Sequence, residues 1–116
     1  MIGIDLIKSS RMERMIDRFG EKALLRFLTT QEIILVKNYK TAAGFWAVKE
    51  ACSKALGVGI GSECSFEDMI LSKTDRGAPI LKLSDTLIKK FNIKDISVSI
   101  SHDGEYAVAV VAIEKF

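Results

Sequence analysis

Glu50 and Lys54 stand four residues apart in a stretch of helical pattern, so a carboxylate and an ammonium share one helix face. The same order is favoured in an ordinary helix ion pair. Location points further, because the neighbouring residues are apolar, and charges kept there carry a desolvation cost unless a ligand or metal shares the site. Oxygen from Glu50 would suit a hard cation such as Mg²⁺. Ala43 and Ala47 on that face are expected to leave open space beside the pair. Asp5 raises the same question from a short apolar strand at residues 2–6, where it is either hydrogen-bonded by a helix start or a second metal ligand.

Gly57, Gly59 and Gly61 alternate with Val58 and Ile60 after a helix rather than a strand, which excludes a dinucleotide fingerprint and a Walker loop. They read either as a helix cap with a flexible turn or as a place where backbone amides approach phosphate oxygens; Gly57 is the cap in both. His102 is the sole histidine and stands at the tip of a predicted hairpin, where solvent exposure is the plain expectation.

Arg11, Arg14 and Arg18 share a helix face, which Lys22 and Arg26 would extend if the helix ran through Gly20. That face is either solvated, with cross pairs from Arg14 to Asp17 and Arg18 to Glu21, or a docking strip for an acidic partner. No aromatic residues are interleaved there, which favours protein over single-stranded nucleic acid.

The elements that must position these residues follow from pattern. Ser10-Arg11-Met12-Glu13 has the form of a capping box, predicting a helix from Ser10 with Gly20 as its stop. A second box, from Thr29 to Glu32, predicts a helix over 30–39. A third helix is expected over 41–56, apolar around nearly its whole circumference and therefore buried on most sides. Strands at 66–72 and 80–83 form a hairpin, and Ser84 caps a helix that runs through Phe91. Strands at 96–100 and 106–113 form a second hairpin across the Asp103-Gly104 turn. With no repeat or linker, residues 1–116 are one α+β domain, a small mostly antiparallel sheet packed on a long buried helix and shorter helices.

Composition agrees with this and excludes some classes. At 48% hydrophobic and 28% charged, the chain can bury a core and is not disordered. A net charge of +2 is far from that of a general nucleic-acid or membrane-surface binder. Cys52 and Cys64 match neither a disulfide framework nor a zinc site, so two free thiols in a reducing cytoplasm are expected. No apolar run approaches the roughly 20 residues of a membrane span, and the acidic start is unlike a signal peptide.

Three segments together resemble the holo-acyl-carrier-protein synthases, the small bacterial class of 4′-phosphopantetheinyl transferases: Gly3-Ile4-Asp5-Leu6, the run from Phe45 through Lys49-Glu50-Ala51-Cys52-Ser53-Lys54-Ala55-Leu56-Gly57-Val58-Gly59 to Ile60, and Ser99-Ile100-Ser101-His102-Asp103. The resemblance spans the chain. It implies Mg²⁺-dependent transfer of phosphopantetheine from coenzyme A to a serine of apo acyl carrier protein, releasing adenosine 3′,5′-bisphosphate, in fatty acid biosynthesis. By that resemblance Asp5 and Glu50 are the Mg²⁺ ligands, and with Lys54 the catalytic set. Lys49, Lys54, Gly57, Gly59, Ser101 and His102 would bind coenzyme A, the last two from a neighbouring subunit of a homotrimer, and Arg11, Arg14 and Arg18 would dock the carrier protein. Neither nucleic acid nor membrane is an expected partner, and the cytoplasm is the expected compartment.

The chain departs from the family pattern at Lys8, where a Glu is common, at Phe45, where an Arg is frequent, and at Val58, where Thr is usual. Contacts to the nucleotide phosphates are therefore expected from other basic residues. The competing readings are a non-catalytic module that binds an acidic protein through the first helix, and a small Mg²⁺ hydrolase of nucleotide phosphates.

Overall fold

Alternation of large and small apolar residues builds the central sheet. In the computed structural model, which describes residues 1–116, strand β1 (Ile2–Lys8) pairs antiparallel with the last strand, β5 (Tyr106–Lys115), which pairs in turn with β4 (Ile93–Asp103). Ala107, Ala109, Val111 and Ile113 point inward from β5, and Gly3, Asp5 and Ile7 do so from β1. A second, two-stranded sheet joins β2 (Met69–Lys73) to β3 (Pro79–Leu83). The α+β class holds, with two small antiparallel sheets instead of one.

The inner face of the three-stranded sheet lies on helix α4 (Tyr39–Ala55), whose Ala42, Ala43, Ala47, Val48 and Ala51 have no solvent contact. Alanines let sheet and helix approach closely, and Gly3 shows how closely. A Cβ at Gly3 would collide with the Ala51 carbonyl oxygen and the Ala55 backbone nitrogen, so only glycine lets β1 cross α4 here. Ala43 and Ala47 are consequently packed in the core, not beside open space as their position next to Glu50 had suggested.

Three short helices precede α4: α1 (Ser9–Phe19), α2 (Glu21–Leu25) and α3 (Thr30–Ile34). Gly20, with φ 61°, ends α1 as expected. The capping box expected at Ser10 does not form: the chain passes from β1 straight into α1, with Lys8 at the cap position and no side-chain cap bond. The box at Thr29 does form, Glu32 reaching back to the Thr29 N–H while the Thr29 hydroxyl accepts from Glu32. Its helix is shorter than 30–39 because Asn38 starts α4, accepting from the Lys40 and Thr41 N–H groups. Ser84 caps α5 (Asp85–Phe91) through the Leu87 N–H. No helix is long and apolar enough to cross a membrane.

Candidate active site

The crossing of β1 over α4 brings together three residues far apart in the chain. Asp5 lies two positions beyond Gly3 on the same inward-facing row, and Glu50 and Lys54 flank Ala51 on the helix beneath. Lys54 bonds across the crossing, not along its own helix: Nζ donates to Asp5 Oδ1 at 2.8 Å and to the Ile4 carbonyl at 3.3 Å. The ordinary Glu50–Lys54 helix pair is absent, since no ion pair joins them within 4.0 Å. Lys54 is 52% exposed and Asp5 13%, so the pair opens to solvent with one ammonium hydrogen still to give.

Glu50 is half-buried, and burial pushes its carboxyl above the usual range; the neighbouring Asp5 carboxylate pushes the same way, against a smaller pull from Lys54. Two carboxylates that repel each other, one of them desolvated, fit a divalent cation. No group of three or more His, Cys, Asp or Glu side chains is placed to hold a metal. Two carboxylates completed by water and substrate phosphates is the donor set that Mg²⁺ accepts and that dedicated zinc or calcium cages do not resemble. Lys8 points to the other face of β1, its Nζ 6.0 Å from the Tyr106 ring centre, so it plays no part beside Asp5.

Lys49 is a correction. It was expected to contact coenzyme A, but it is 1% exposed, and its ammonium donates to Glu32 Oε1 and to the carbonyls of Phe27 and Phe66 at 3.0, 2.7 and 3.3 Å. All three hydrogens are spent, and none remains for a phosphate. Glu32 is saturated too, accepting from the Leu71 and Thr29 N–H groups.

The Gly57–Gly61 loop folds back on the end of α4. The Gly57 N–H bonds to the Lys54 carbonyl, those of Val58 and Gly59 to the Ser53 carbonyl, and that of Gly61 to Cys64. The amides of Gly57, Val58 and Gly59 thus serve the helix terminus. What Gly57 and Gly59 contribute is positive φ, 79° and 67°, and a bare surface with nothing within 4 Å of where a Cβ would stand. Cys52 and Cys64 are free and buried, their thiols pushed up by burial to about 12 and about 11, which leaves them inert.

Ser101 and His102 lie near the end of β4, away from Asp5 and Glu50 in the same chain. His102 is exposed and Nε2 donates to the Lys40 carbonyl at 2.9 Å, on the first turn of α4, while Glu50 lies ten residues, about 15 Å, further along the helix. Arg11, Arg14 and Arg18 are exposed and line an open groove of about 640 Å³ with Met15, Asp17 and Phe19. None is in an ion pair, so the cross pairs to Asp17 and Glu21 do not form. Gly20 breaks the helix, yet Arg26 returns to Phe19, 4.9 Å from the ring centre, as Arg18 is at 5.2 Å. Sequence reading missed Phe19 as part of this face, although it sits beside Arg18.

The 4′-phosphopantetheinyl transferase superfamily model matches residues 1–111. A holo-[acyl-carrier-protein] synthase of Sulfurimonas denitrificans is 64% identical over 115 residues, covering 99% of this chain and 95% of its own. One of Nautilia profundicola is 56% identical over 115 residues, covering 99% of this chain and 100% of its own. Among solved structures, that of Helicobacter pylori holo-[acyl-carrier-protein] synthase in complex with coenzyme A superposes with a TM-score of 0.95 at 49% identity, over 98% of this chain and 100% of the other. With the Asp5, Glu50 and Lys54 cluster at its centre, the chain belongs to the 4′-phosphopantetheinyl transferase superfamily.

Proposed function

We propose that this protein transfers the 4′-phosphopantetheine group of coenzyme A to a serine of apo acyl carrier protein, releasing adenosine 3′,5′-bisphosphate, within fatty acid biosynthesis in the cytoplasm. The observation that carries the reading is the meeting of Asp5, Glu50 and Lys54 at the β1–α4 crossing, in a chain of this superfamily. Asp5 and Glu50 would hold Mg²⁺, which when bound neutralises charge on the diphosphate.

The protein's own groups then have separable tasks. Lys54, anchored by Asp5 and the Ile4 carbonyl, keeps one N–H for a phosphate oxygen and would stabilise charge building on the leaving group. Glu50, through its second carboxylate oxygen, would accept the serine proton as the serine oxygen bonds to phosphorus. The bond from that phosphorus to the nucleotide's phosphate oxygen breaks, and the bisphosphate leaves with the electron pair. Positioning supplies most of the rest, as in other phosphoryl transfers.

Two surfaces support the partners. The groove of α1, with three arginines against the one acid Asp17 and none of them ion-paired, suits an acidic carrier-protein helix. The outer face of the β1–β5–β4 sheet exposes Ile2, Ile4, Leu6, Tyr106 and Val110, an apolar surface that a homotrimer would cover. In such a trimer Ser101 and His102 would complete the neighbour's coenzyme A site.

The test is to incubate the purified protein with coenzyme A, Mg²⁺ and apo acyl carrier protein, with and without chelator, and weigh the carrier. A gain of one phosphopantetheine, lost on chelation and lost again with Glu50→Gln, is the expected result. An unchanged carrier mass with a folded protein overturns the reading in favour of a binding module. Consumption of coenzyme A without any carrier would indicate a hydrolase.

A further inference from the structure

One carboxylate of the site is already in use. The Lys54 ammonium donates to Asp5 Oδ1 at 2.8 Å and to the Ile4 carbonyl at 3.3 Å, whereas Glu50, one turn back on the same helix, takes part in no ion pair. Two carboxylates and one ammonium leave a single net negative charge at the crossing. A divalent cation arriving alone must either share Asp5 with a like charge or displace that charge.

We propose that Lys54 is a resident counter-ion that withholds Asp5 from the divalent cation until the diphosphate of coenzyme A takes the ammonium over, so that metal and coenzyme A bind cooperatively. The inference rests on the coenzyme A reading above and adds the regulation of that same site. Exposure decides which partner of the pair can yield. Asp5 is 13% exposed, on a strand pressed against α4 at Gly3, while Lys54 is 52% exposed on a flexible four-carbon stem. A pair this open to solvent is weak and exchangeable, unlike the sealed Lys49–Glu32 pair, in which the ammonium has no free hydrogen. Two of the three Lys54 hydrogens are bonded and the third has no partner, which gives a phosphate oxygen its first hold.

The diphosphate then acts twice. Its charge competes with Asp5 for the ammonium, and its oxygens complete the donor set that two carboxylates leave open. Only the first effect passes through Lys54. Coupling of this kind is reciprocal, so the cation strengthens coenzyme A binding by the same factor by which coenzyme A strengthens that of the cation.

Mn²⁺ is the probe, since it shares the preference of Mg²⁺ for octahedral oxygen donors, and its free concentration is read by electron paramagnetic resonance. Binding is measured without carrier protein, so that no transfer occurs, for the wild type, Lys54→Met and Lys54→Arg, with and without saturating coenzyme A. In the wild type, coenzyme A tightens Mn²⁺ binding at least about ten-fold. In Lys54→Met, Mn²⁺ alone binds about ten-fold tighter than in the wild type, and the gain from coenzyme A shrinks by the same factor. Lys54→Arg, which keeps the charge and can hold Asp5 with two hydrogens, binds Mn²⁺ alone no better than the wild type. Lys8→Met is the control: it removes a cation from the other face of β1 and leaves Mn²⁺ binding unchanged. An affinity for Mn²⁺ alone in Lys54→Met at or below that of the wild type overturns the inference, as does an equal rise in Lys8→Met. The transferase reading stands or falls separately, because a protein that binds Mn²⁺ in this pattern yet leaves the carrier mass unchanged fails that reading alone.

Discussion

Two lysines five residues apart on α4 each meet a carboxylate, and the two pairs do opposite things. Lys49 and Glu32 are sealed from solvent, and the ammonium is spent on Glu32 and the carbonyls of Phe27 and Phe66 while the carboxylate accepts from the Thr29 and Leu71 N–H groups. Lys54 and Asp5 stand at the rim with a free hydrogen, and the Glu50 carboxylate beside them is left poorly compensated. A saturated ion pair specifies structure, whereas an unsaturated one is available to a ligand. The difference between them lies in what remains unbonded, not in residue type.

Breaking the sealed pair has the largest expected effect. Burial already lowers the Lys49 pKa against the pull of Glu32, so the charge is retained only because the pair is complete. Lys49→Met strands the Glu32 carboxylate in the core and costs about 3–5 kcal/mol in urea unfolding, whereas Lys49→Met with Glu32→Leu recovers much of that loss. A loss below about 1 kcal/mol for the single variant would show that Lys49 is not structural.

Lys54→Met is the mirror experiment. The pair is half-exposed, so unfolding should change by no more than about 1 kcal/mol, while turnover falls on the order of 10²-fold through the lost phosphate contact. A variant that unfolds easily yet turns over normally would reverse the assignment of the two lysines. Gly3→Ala strikes the frame itself: the new methyl meets the Ala51 carbonyl, β1 lifts from α4, and about 1–3 kcal/mol of stability is lost together with activity. Normal turnover in a folded Gly3→Ala protein would mean that the Asp5 to Glu50 spacing is not held by this crossing.

Much of this was legible because it is local. The Thr29–Glu32 box, the buried circumference of α4, the Gly20 and Gly57 stops and both hairpins are short-range patterns that tertiary packing left in place. The Ser10 box failed because its backbone does not leave the strand before the helix begins: the Ser9 N–H bonds to the Glu105 carbonyl across the sheet end, and Ser9 is buried. The two lysines could not be told apart, since Lys49 and Lys54 sit in the same motif, and which is sealed depends on where Glu32, seventeen residues upstream, comes to rest.

Glu50 gives the smallest effect and the sharpest sign. Its folded pKa lies above the ordinary 4.5, so between that value and the raised one the folded state binds more protons than the unfolded state. The apo protein therefore loses stability as pH rises through this window, and the cost persists above it. Glu50→Gln has no such charge to desolvate, so in chelator at neutral pH it should melt slightly above the parent while being inactive, and the gap should close below about pH 4.5. Adding Mg²⁺ should raise the parent and leave the variant unmoved, because only the parent keeps both carboxylates. A variant that melts below the parent at neutral pH would mean that Glu50 is compensated in the free protein, and the contrast with the sealed pair would then rest on Lys54 and Asp5 alone.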